Sequence, residues 1–402
     1  MFKVKPIAEV SKIIQERFAQ LHVGFETVAL DAVLNRILAE DTLADAYVPD
    51  FDRSTVDGYA VKAADVFGCS DAIPALLTLV GQAKMGTLTQ IVLEKGQCVY
   101  VPTGAQVPQG TDAVIMLEHA DDLGGGEIAI YKASAPGTNL IFRGDDLKPG
   151  DVVFRAGKIL NTADSGALAA MGVSKVHVCK HPRVAIISTG DELVHPHEPL
   201  PSGKIRDVNA SMLVNAVLEA GGKPDFLGII RDDEQVLHTT LKSALENHDV
   251  ILVSGGTSVG VKDALPKVIT DLGEMLVHGV AAKPGKPTIV GVANEIPVFG
   301  LPGNPVAAYF MFYSFVRPLL FSMMDAEPVE RTIELPVSRA VPSNHGREEF
   351  VPVIVQDGLA QPIPSKSGLI TTLSSADGFI RIPRELEGLK QGELVRVTLF
   401  VR

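Results

Sequence analysis

Cysteine is scarce in this sequence and no long hydrophobic or basic run is present, and each of these absences excludes a class of protein. The three cysteines, Cys69, Cys98 and Cys179, are far apart and form no CxxC pair. This argues against a zinc or redox site and for a reducing, cytoplasmic location. No apolar run approaches the roughly 20 residues that a membrane-spanning helix needs. The N-terminal segment also lacks the apolar core of a signal peptide.

The charge balance bears on the kind of partner. The formal net charge is -12 and there is no run of lysine or arginine, which argues against a nucleic-acid partner, because binding the phosphate backbone needs a basic face. An acidic protein can still handle an anionic ligand if local lysines and a divalent cation held by carboxylates neutralise the ligand. At 402 residues, about two to four domains are expected.

Changes in sequence character along the chain predict four domains. Helical patterns are expected over 10–21 and over 31–40, the second with Asp31 as its N-cap. Glycine- and proline-rich segments with short apolar runs then predict strands, among them 97–101 and 112–117. The predicted domains are a helical, discontinuous N-terminal domain (1–45 with 141–180), a small β-rich domain (46–140), an α/β domain (181–328) and a C-terminal β domain (329–402).

The α/β domain is predicted from a regular alternation of strands and helices. The alternation indicates a parallel sheet in a three-layer arrangement, wound right-handed. Ligands of such sheets bind beyond the carboxyl ends of the strands. The expected strands are 183–187, 224–230, 249–253 and 296–299, and the expected helices are 209–220, 233–247, 263–272 and 305–321.

The loop after the third of these strands is the most informative segment. The β-branched run 250–253 is typical of a strand buried on both faces, and it leads directly into a glycine-rich loop. Glycines allow close approach to a ligand, and free N–H groups at a helix start attract phosphate. A plain strand-to-helix turn would need only one glycine, so three favour a phosphate-binding loop. Its candidate ligand-binding residues are Ser254, Gly255, Gly256, Thr257, Ser258 and Gly260.

Two further loops of the same domain point to the same anionic ligand. Lys283 and Lys286 flank a Pro-Gly pair, so a rigid turn presents two ammonium groups. Pro302, Gly303 and Asn304 precede a helix that begins at Pro305, where backbone amides and one side-chain amide could contact the ligand. For the lysines, the alternative is a solvated basic loop.

Carboxylates follow three consecutive strands of the predicted sheet. Glu192 follows the first strand, Asp232 the second and Asp263 the third. Because the carboxyl ends of parallel strands lie at one edge, these side chains are expected to converge as ligands of Mg²⁺. Each taken alone is equally consistent with a solvated acidic turn.

Three polar clusters lie outside the α/β domain, at residues 52–60, 102–105 and 143–146. Each has two interpretations that spacing alone does not separate, a capped turn at a domain boundary or a functional loop. No Ser-His-Asp or Cys-His arrangement has supporting context, so the sequence offers no obvious protein nucleophile.

Taken together, these motifs resemble the molybdopterin molybdenumtransferase family, which includes MoeA and the E domain of gephyrin. The resemblance extends over essentially the whole chain, and its strength lies in the number of motifs that occur in the family's order. The motifs are residues 54–60, 102–105, 144–146, 188–193, 254–260, 283–287, 301–305, 346–347, 365–368 and 376–379.

The resemblance implies an activity and a set of site residues. The implied reaction inserts molybdate into adenylylated molybdopterin with Mg²⁺ and releases AMP. It also implies an elongated four-domain subunit in a homodimer, with a cleft formed by the α/β domain of one subunit and the second domain of the other. The carried-over cleft residues are Asp57, Thr103, Asp146, Glu192, Asp232 and Asp263, with Lys283 and Lys286 on the anions and Arg347 and Ser367 on molybdate or pterin.

Two short segments depart from the family pattern, and two other functions compete with this one. Thr55-Val56 stand where the family usually has Ala-Met, and Val261-Lys262 stand where an acidic and an aromatic residue are more usual before Asp263. The first alternative is a molybdopterin adenylyltransferase, which shares the α/β domain and is also a possible partner. The second is a non-catalytic pterin-binding or scaffold protein.

Overall fold

The computed structural model describes residues 4–255, 264–364 and 368–400. Its helices in chain order are α1 (Ile7–Arg17), α2 (Thr162–Ala170), α3 (Val208–Glu219), α4 (Glu234–Ala244), α5 (Ala264–Leu272), α6 (Pro305–Met311), α7 (Arg317–Ser322) and α8 (Thr371–Ser375). The first strands are β1 (Phe25–Ala29), β2 (Thr42–Leu43), β3 (Arg53–Ser54), β4 (Gly58–Val61), β5 (Ala75–Gln82), β6 (Gln97–Val101), β7 (Ala113–Met116), β8 (Ala120–Gly124), β9 (Glu127–Ile130), β10 (Leu140–Ile141), β11 (Val152–Phe154), β12 (Lys175–Cys179), β13 (Arg183–Thr189) and β14 (Leu193–Val194). The remaining strands are β15 (Ile205–Arg206), β16 (Lys223–Ile230), β17 (Val250–Ser254), β18 (Gly273–His278), β19 (Ala282–Lys283), β20 (Ile289–Ala293), β21 (Ile296–Leu301), β22 (Thr332–Pro336), β23 (Val341–Pro342), β24 (Glu348–Gln356), β25 (Leu359–Pro362), β26 (Gly378–Ile382), β27 (Gly388–Leu389) and β28 (Leu394–Leu399).

The chain forms two compact units. The first contains Met1–Glu40, Ala156–Asn161 and Val176–Arg402, and the second contains Asp41–Arg155 and Thr162–Lys175. This division into two units does not test the four domains predicted from the sequence, which stay a prediction.

The first unit is built around a six-stranded sheet with helices on both faces. Its strand order is β16-β13-β17-β21-β20-β18. Side chains of β17 alternate between two cores: Val250 and Leu252 pack with Leu213 of α3, whereas Ile251 and Val253 pack with α4 and α5. All four of these β17 residues are fully buried. The apolar run in the sequence therefore did predict a strand covered on both faces.

The sheet is mixed, although the four strands that the sequence predicted are parallel to one another, as expected. Strands β16, β13, β17 and β21 are parallel, but β20 is antiparallel to both β21 and β18. Asn294 and Glu295, with φ of 47° and 64°, make the tight turn between β20 and β21. Asn-Glu is an uncommon pair for a hairpin turn, where Asn-Gly is the usual signal, so the hairpin was missed.

The prediction of a helix over 31–40 was wrong. The structure has only a short 3-10 helix, Leu30–Ala32, followed by Asn35 in the left-handed region with φ of 61°. Beyond it the chain is extended, and Ile37 and Leu38 form bridges with Ile159 and Val178. Adjacent apolar residues were read as a helical face, but each is buried by pairing with a separate segment.

The predicted helix over 305–321 is present in three pieces. A π-helical segment, Phe312–Val316, joins α6 to α7. Pro318 follows in α7, and a proline has no N–H for an i→i−4 bond, which favours a local change of helix type.

A second six-stranded sheet of the first unit contains the C-terminal strands. Its order is β19-β24-β26-β28-β22, with β25 paired to β24. The short strand β19 adds in parallel to β24, with Ala282 opposite Glu348 and Lys283 opposite Glu349. The predicted C-terminal strands are therefore present, and they are joined by a strand that comes from the predicted lysine loop.

The second unit contains a six-stranded sheet of order β7-β4-β6-β5-β9-β8. The strands predicted over 97–101 and 112–117 correspond to β6 and β7. Gly58 is required in β4, because a Cβ there would lie 2.0 Å from the Ile115 carbonyl oxygen of β7. Asp57 therefore lies directly before the first residue of a buried strand that packs closely against β7.

Across residues 4–255, 264–364 and 368–400, no helix is both long and apolar enough to cross a membrane.

Candidate functional site

The loops at the carboxyl ends of β13, β17 and β21 meet at one edge of the mixed sheet. The Gly255 N–H after β17 donates to the Leu301 carbonyl oxygen of β21 at 3.1 Å. A Cβ on Gly255, whose φ is 92°, would lie 2.4 Å from the Thr189 carbonyl oxygen at the end of β13, and one on Gly303 would lie 3.9 Å from Gly255 Cα. The structure thus brings together Ser254, Gly255, Pro302 and Gly303, as the sequence predicted. Gly256, Thr257, Ser258 and Gly260 lie outside the described residues.

Asn209, in the first turn of α3, joins these loops, and the sequence analysis missed it. Its Nδ2 donates to Ser254 Oγ at 2.7 Å and to the Gly303 carbonyl oxygen at 2.9 Å, with the Pro302 carbonyl oxygen at 3.4 Å. Asp207 caps the same helix by accepting from the Ala210 N–H. The helix start with Asp as N-cap, followed by a polar residue, was a usable signal.

Several buried side-chain polar atoms at this edge have no hydrogen-bond partner within the described part of the chain. Among the described residues, they include Ser188 Oγ, Thr189 Oγ1, Asp207 Oδ2 and Asn209 Oδ1. All four residues are at most 6% exposed. Buried polar atoms are nearly always hydrogen-bonded in native proteins, so this concentration marks the edge as unusual.

Two of the three predicted carboxylates, Glu192 and Asp232, lie at the same edge, in different settings. Glu192 folds back over Gly190, since a Cβ there would lie 2.8 Å from Glu192 Oε2. Asp232 lines a small cavity with Thr189 and Arg231. Its neighbour Asp233 is occupied as the N-cap of α4, accepting from the Gln235 and Val236 N–H groups.

The oxygen atoms at this edge are of the kind that bind Mg²⁺. Mg²⁺ prefers oxygen ligands, and Asp232 shares its cavity with Thr189, whose buried hydroxyl has no hydrogen-bond partner in the part of the chain that the structure describes. Asp263 lies outside the described residues. Within residues 4–255, 264–364 and 368–400, no three His, Cys, Asp or Glu side chains are grouped to hold a metal ion.

The two predicted lysines differ in their surroundings. Lys283 Nζ forms an ion pair of 2.9 Å with Glu349 Oε1, whose side chain is only 13% exposed. Ser343 Oγ donates to the other Glu349 oxygen at 2.6 Å. Lys286, three residues on, is exposed. Lys283 is therefore anchored to β24, the strand that directly follows Arg347.

The region around Arg347 includes a carboxyl group with an altered pKa. Arg347 is half-buried and follows Gly346, whose φ of 93° turns the chain into β24. Burial raises the pKa of the adjacent Glu348 carboxyl above its usual value, and nearby Arg381 partly offsets this. Glu348 thus holds its proton more tightly than an exposed glutamate.

A C-terminal loop approaches the Pro302–Asn304 segment. A Cβ on Gly368 would lie 3.7 Å from Asn304 Oδ1, and Asn304 is the N-cap residue of α6. Ser367, the predicted ligand-binding residue just before Gly368, lies outside the described residues. The structure therefore brings Gly368, the residue after Ser367, next to the predicted loop.

In the second unit, Asp57 and Thr103 are in direct contact. The Thr103 N–H donates to Asp57 Oδ1 at 2.8 Å. Asp146 lies in another turn, where its N–H donates to the Val48 carbonyl oxygen at 3.1 Å. All three side chains are exposed. The described contacts join the first two predicted residues and tie the third to a different segment.

The Thr55-Val56 departure fits an ordered turn. The Val56 N–H donates to Ser54 Oγ at 3.2 Å, and Ser54 Oγ donates to the Val56 carbonyl oxygen at 2.6 Å. Val56 also packs against a core cluster of the second unit. The turn before Asp57 is therefore held by Ser54 and by packing of Val56. Lys262 lies outside the described residues.

The fold and the site define a class: a multidomain α/β protein whose polar loops meet at the carboxyl edge of a mixed sheet. Models of known protein families match three successive segments of the chain. The family described as the MoeA N-terminal region (domain I and II) matches residues 5–172. A probable molybdopterin binding domain matches residues 185–322, and the MoeA C-terminal region (domain IV) matches residues 334–400.

Individual relatives match along nearly the whole chain. A molybdopterin molybdenumtransferase of Bacillus subtilis (strain 168) is 36% identical over 385 residues, covering 93% of this chain and 90% of that protein. The enzyme of the same name from Staphylococcus aureus (strain Mu50) is 32% identical over 382 residues, covering 93% and 90%. The chain belongs to the molybdopterin molybdenumtransferase family, whose members are transferases of molybdenum cofactor biosynthesis.

Solved structures agree with this assignment. A crystal structure titled as a molybdopterin biosynthesis moeA protein from Pyrococcus horikoshii OT3 has a TM-score of 0.87 at 33% identity, covering 99% of this chain and 100% of that one. Another, from Pyrococcus horikosii as its title prints the name, has a TM-score of 0.84 at 40% identity and covers both chains completely. The family resemblance given by the sequence motifs is confirmed.

Proposed function

We propose that this protein inserts molybdate into adenylylated molybdopterin, with Mg²⁺, and releases AMP. The observation that carries the proposal is the meeting of the Ser254-Gly255 and Pro302-Gly303 loops at one sheet edge. Two glycine-containing loops that meet at the carboxyl ends of neighbouring parallel strands suit a phosphate-bearing molecule. The relatives' name supports molybdopterin and molybdenum as reactants, and we add adenylylation and Mg²⁺ from the family resemblance of the motifs.

Charge neutralisation is the main task of the proposed site. Molybdate is a dianion, and it must approach a substrate that already carries phosphates. Lys283, Lys286 and Arg347 supply positive charge against this repulsion, and Ser367 adds a hydroxyl donor. Because Lys283 is held by Glu349, its ammonium group has a fixed position when the anion arrives.

We place the magnesium ion with Glu192, Asp232 and Asp263. When bound, this ion would neutralise the phosphate that leaves with AMP. The protein's own residues orient the substrate. Ser254 and Gly255 face the phosphates from the loop after β17, and Asn304 lies in the loop after β21. No protein nucleophile is needed, because a water molecule attacks the phosphoanhydride and AMP leaves, while molybdate gives up one oxygen as water when it binds the dithiolene sulfurs. The protein stabilises the leaving phosphate.

We also propose catalytic roles for three residues of the second unit, carried over from the family resemblance. Asp57 and Thr103 form one hydrogen-bonded pair, and Asp146 is a further carboxylate. From the family resemblance we also propose a homodimer and, as partner, a molybdopterin adenylyltransferase that supplies the substrate. Three free cysteines fit the proposed cytoplasmic location.

Neighbouring carboxylates allow a matched test of the magnesium assignment. We expect Asp232→Asn to lower molybdate-dependent AMP release about tenfold at about 1 mM Mg²⁺, which corresponds to about 1.4 kcal/mol. Excess Mg²⁺ should restore part of the activity. Asp233→Asn is the control, because asparagine caps a helix as well as aspartate does. Equal activity of the two variants would contradict the assignment.

A further inference from the structure

Asn209 is a buried amide that spans two loops of the site without being exposed itself. It is 5% exposed, and it lies in the first turn of α3. One bond reaches Ser254 Oγ, at the end of β17, and another reaches the Gly303 carbonyl oxygen, after β21. These two segments are far apart in sequence, and this side chain links them just beyond the point where the pairing of β17 with β21 ends.

The orientation of this amide follows from its partners. A backbone carbonyl can only accept a hydrogen bond, so the donor nitrogen must face Gly303, and the Oδ1 atom faces away. Oδ1 is buried and has no partner among the described residues. Leaving a buried acceptor unpaired costs about 1–3 kcal/mol. Stability alone is therefore a poor explanation for asparagine at this position.

The two loops that Asn209 joins are also in direct contact. The Gly255 N–H donates to the Leu301 carbonyl oxygen, and a Cβ on Gly303 would lie 3.9 Å from Gly255 Cα. Small shifts of either loop would change how their backbone groups face a shared ligand. Positioning errors of about 1 Å are enough to lower the rate of an enzyme by about a hundredfold.

We propose that Asn209 is a positioning residue that sets the spacing of the Ser254-Gly255 and Pro302-Gly303 loops for the nucleotide phosphate. It acts through the loops and does not touch the substrate. The identity of the ligand rests on the proposed function. Lys283 and Lys286 lie on another loop, so Asn209 governs binding of the adenylylated substrate and leaves molybdate binding unaffected.

The test compares the full-length protein with Asn209→Asp, which keeps the size of the side chain but replaces the donor by an acceptor. AMP is the probe, and its Kd is measured by calorimetry. We expect at least a tenfold weaker Kd, and in turnover a similar rise in KM for adenylylated molybdopterin with KM for molybdate within twofold. Asn209→Ala, which removes both bonds without adding charge, carries the test if Asn209→Asp does not fold.

His248→Ala is the matched control for a general loss of stability. His248 is 9% exposed and hydrogen-bonds the Ala244 carbonyl oxygen and Asp225 Oδ2, but it precedes β17 at the opposite end of the strand. We expect a lower Tm with an unchanged Kd for AMP. An Asn209 variant that binds AMP like the unmodified protein overturns the inference, and so does an equal loss of affinity in His248→Ala.

Failure of the proposed function gives a different result. If the unmodified protein binds AMP but forms no metal-loaded pterin, the proposed reaction is wrong while the Asn209 comparison still decides the inference. If the unmodified protein does not bind AMP, the nucleotide assignment of these loops is wrong and the inference falls with it.

Discussion

At the residue scale, the ion pair between Lys283 and Glu349 makes two similar lysines unequal. Glu349 is mostly buried, and its two oxygens are bonded to Lys283 and Ser343. Removing the cation leaves a largely desolvated carboxylate, which is costly. Lys286 is exposed, so its loss has a smaller effect on folding.

We therefore expect Lys283→Met to lower the free energy of unfolding by about 1–2 kcal/mol, since the pair is partly solvent-screened. Lys286→Met should change it by less than about 0.5 kcal/mol. Both variants should weaken molybdate binding, measured by calorimetry, because each removes a positive charge. Addition of Glu349→Gln should restore the stability of Lys283→Met. Lack of such recovery would show that Glu349 is not what Lys283 stabilises.

Glu348 provides a pH-dependent prediction at the same scale. Burial raises the pKa of its carboxyl in the folded protein above the usual 4.5, so the folded state binds the proton more tightly than the unfolded state. Its contribution to stability is present below pH 4.5 and is lost as pH rises through the folded pKa. Glu348→Gln should therefore raise Tm at pH 8 and leave it nearly unchanged at pH 4. An equal gain at both pH values would contradict this cause.

At the element scale, Gly255 tests whether the close approach of β13 and the loop after β17 is required. An alanine there would combine a φ of 92° with a Cβ 2.4 Å from the Thr189 carbonyl oxygen. We expect Gly255→Ala to lower stability by about 2–4 kcal/mol and to weaken AMP binding. In Gly358→Ala, with φ of 72° and nothing within 4 Å of the new Cβ, only the backbone strain remains, about 1 kcal/mol. Equal losses would exclude the steric contact as the cause.

Elements with a strong local signal were predictable from the sequence. The run Val250–Ser254 is apolar on both faces and became a central strand. The hairpin of β20 and β21 was missed, since its Asn-Glu turn is uncommon, and the predicted helix over 31–40 was broken at Asn35. In both the hairpin and the segment over 31–40, the structure depends on pairing with other segments of the chain. The local periodicity of the sequence does not report such pairing.

At the scale of the whole molecule, the site was predictable as a set of loops but not as a set of contacts. The motifs gave Ser254, Gly255, Pro302 and Gly303, which do meet. Asn209 and Glu349 were not predicted, because their partners lie in other segments: Ser254 is 45 residues from Asn209. The N-cap at Asp207 is a sequence signal for the start of α3, but the contacts of Asn209 and Glu349 are seen only in the folded chain.

Two buried thiols report separately on the two compact units. Burial raises the pKa of the Cys98 thiol, in the second unit, to about 12, and that of the Cys179 thiol, in the first, to about 11. At pH 8 the reactive thiolate is therefore scarce in both. With a Cys69→Ser variant, we expect no fast reaction with a disulfide reagent in the native protein and two thiols after unfolding. Fast labelling of either thiol would show that its unit opens readily.

The most direct test of the account is to incubate the purified protein with adenylylated molybdopterin, Mg²⁺ and molybdate. AMP and metal-loaded pterin are then measured in the same sample. The account predicts that both products appear together in equal amounts, and that neither forms without molybdate. Tight binding of the pterin with neither product would contradict the account and leave a binding protein without transferase activity.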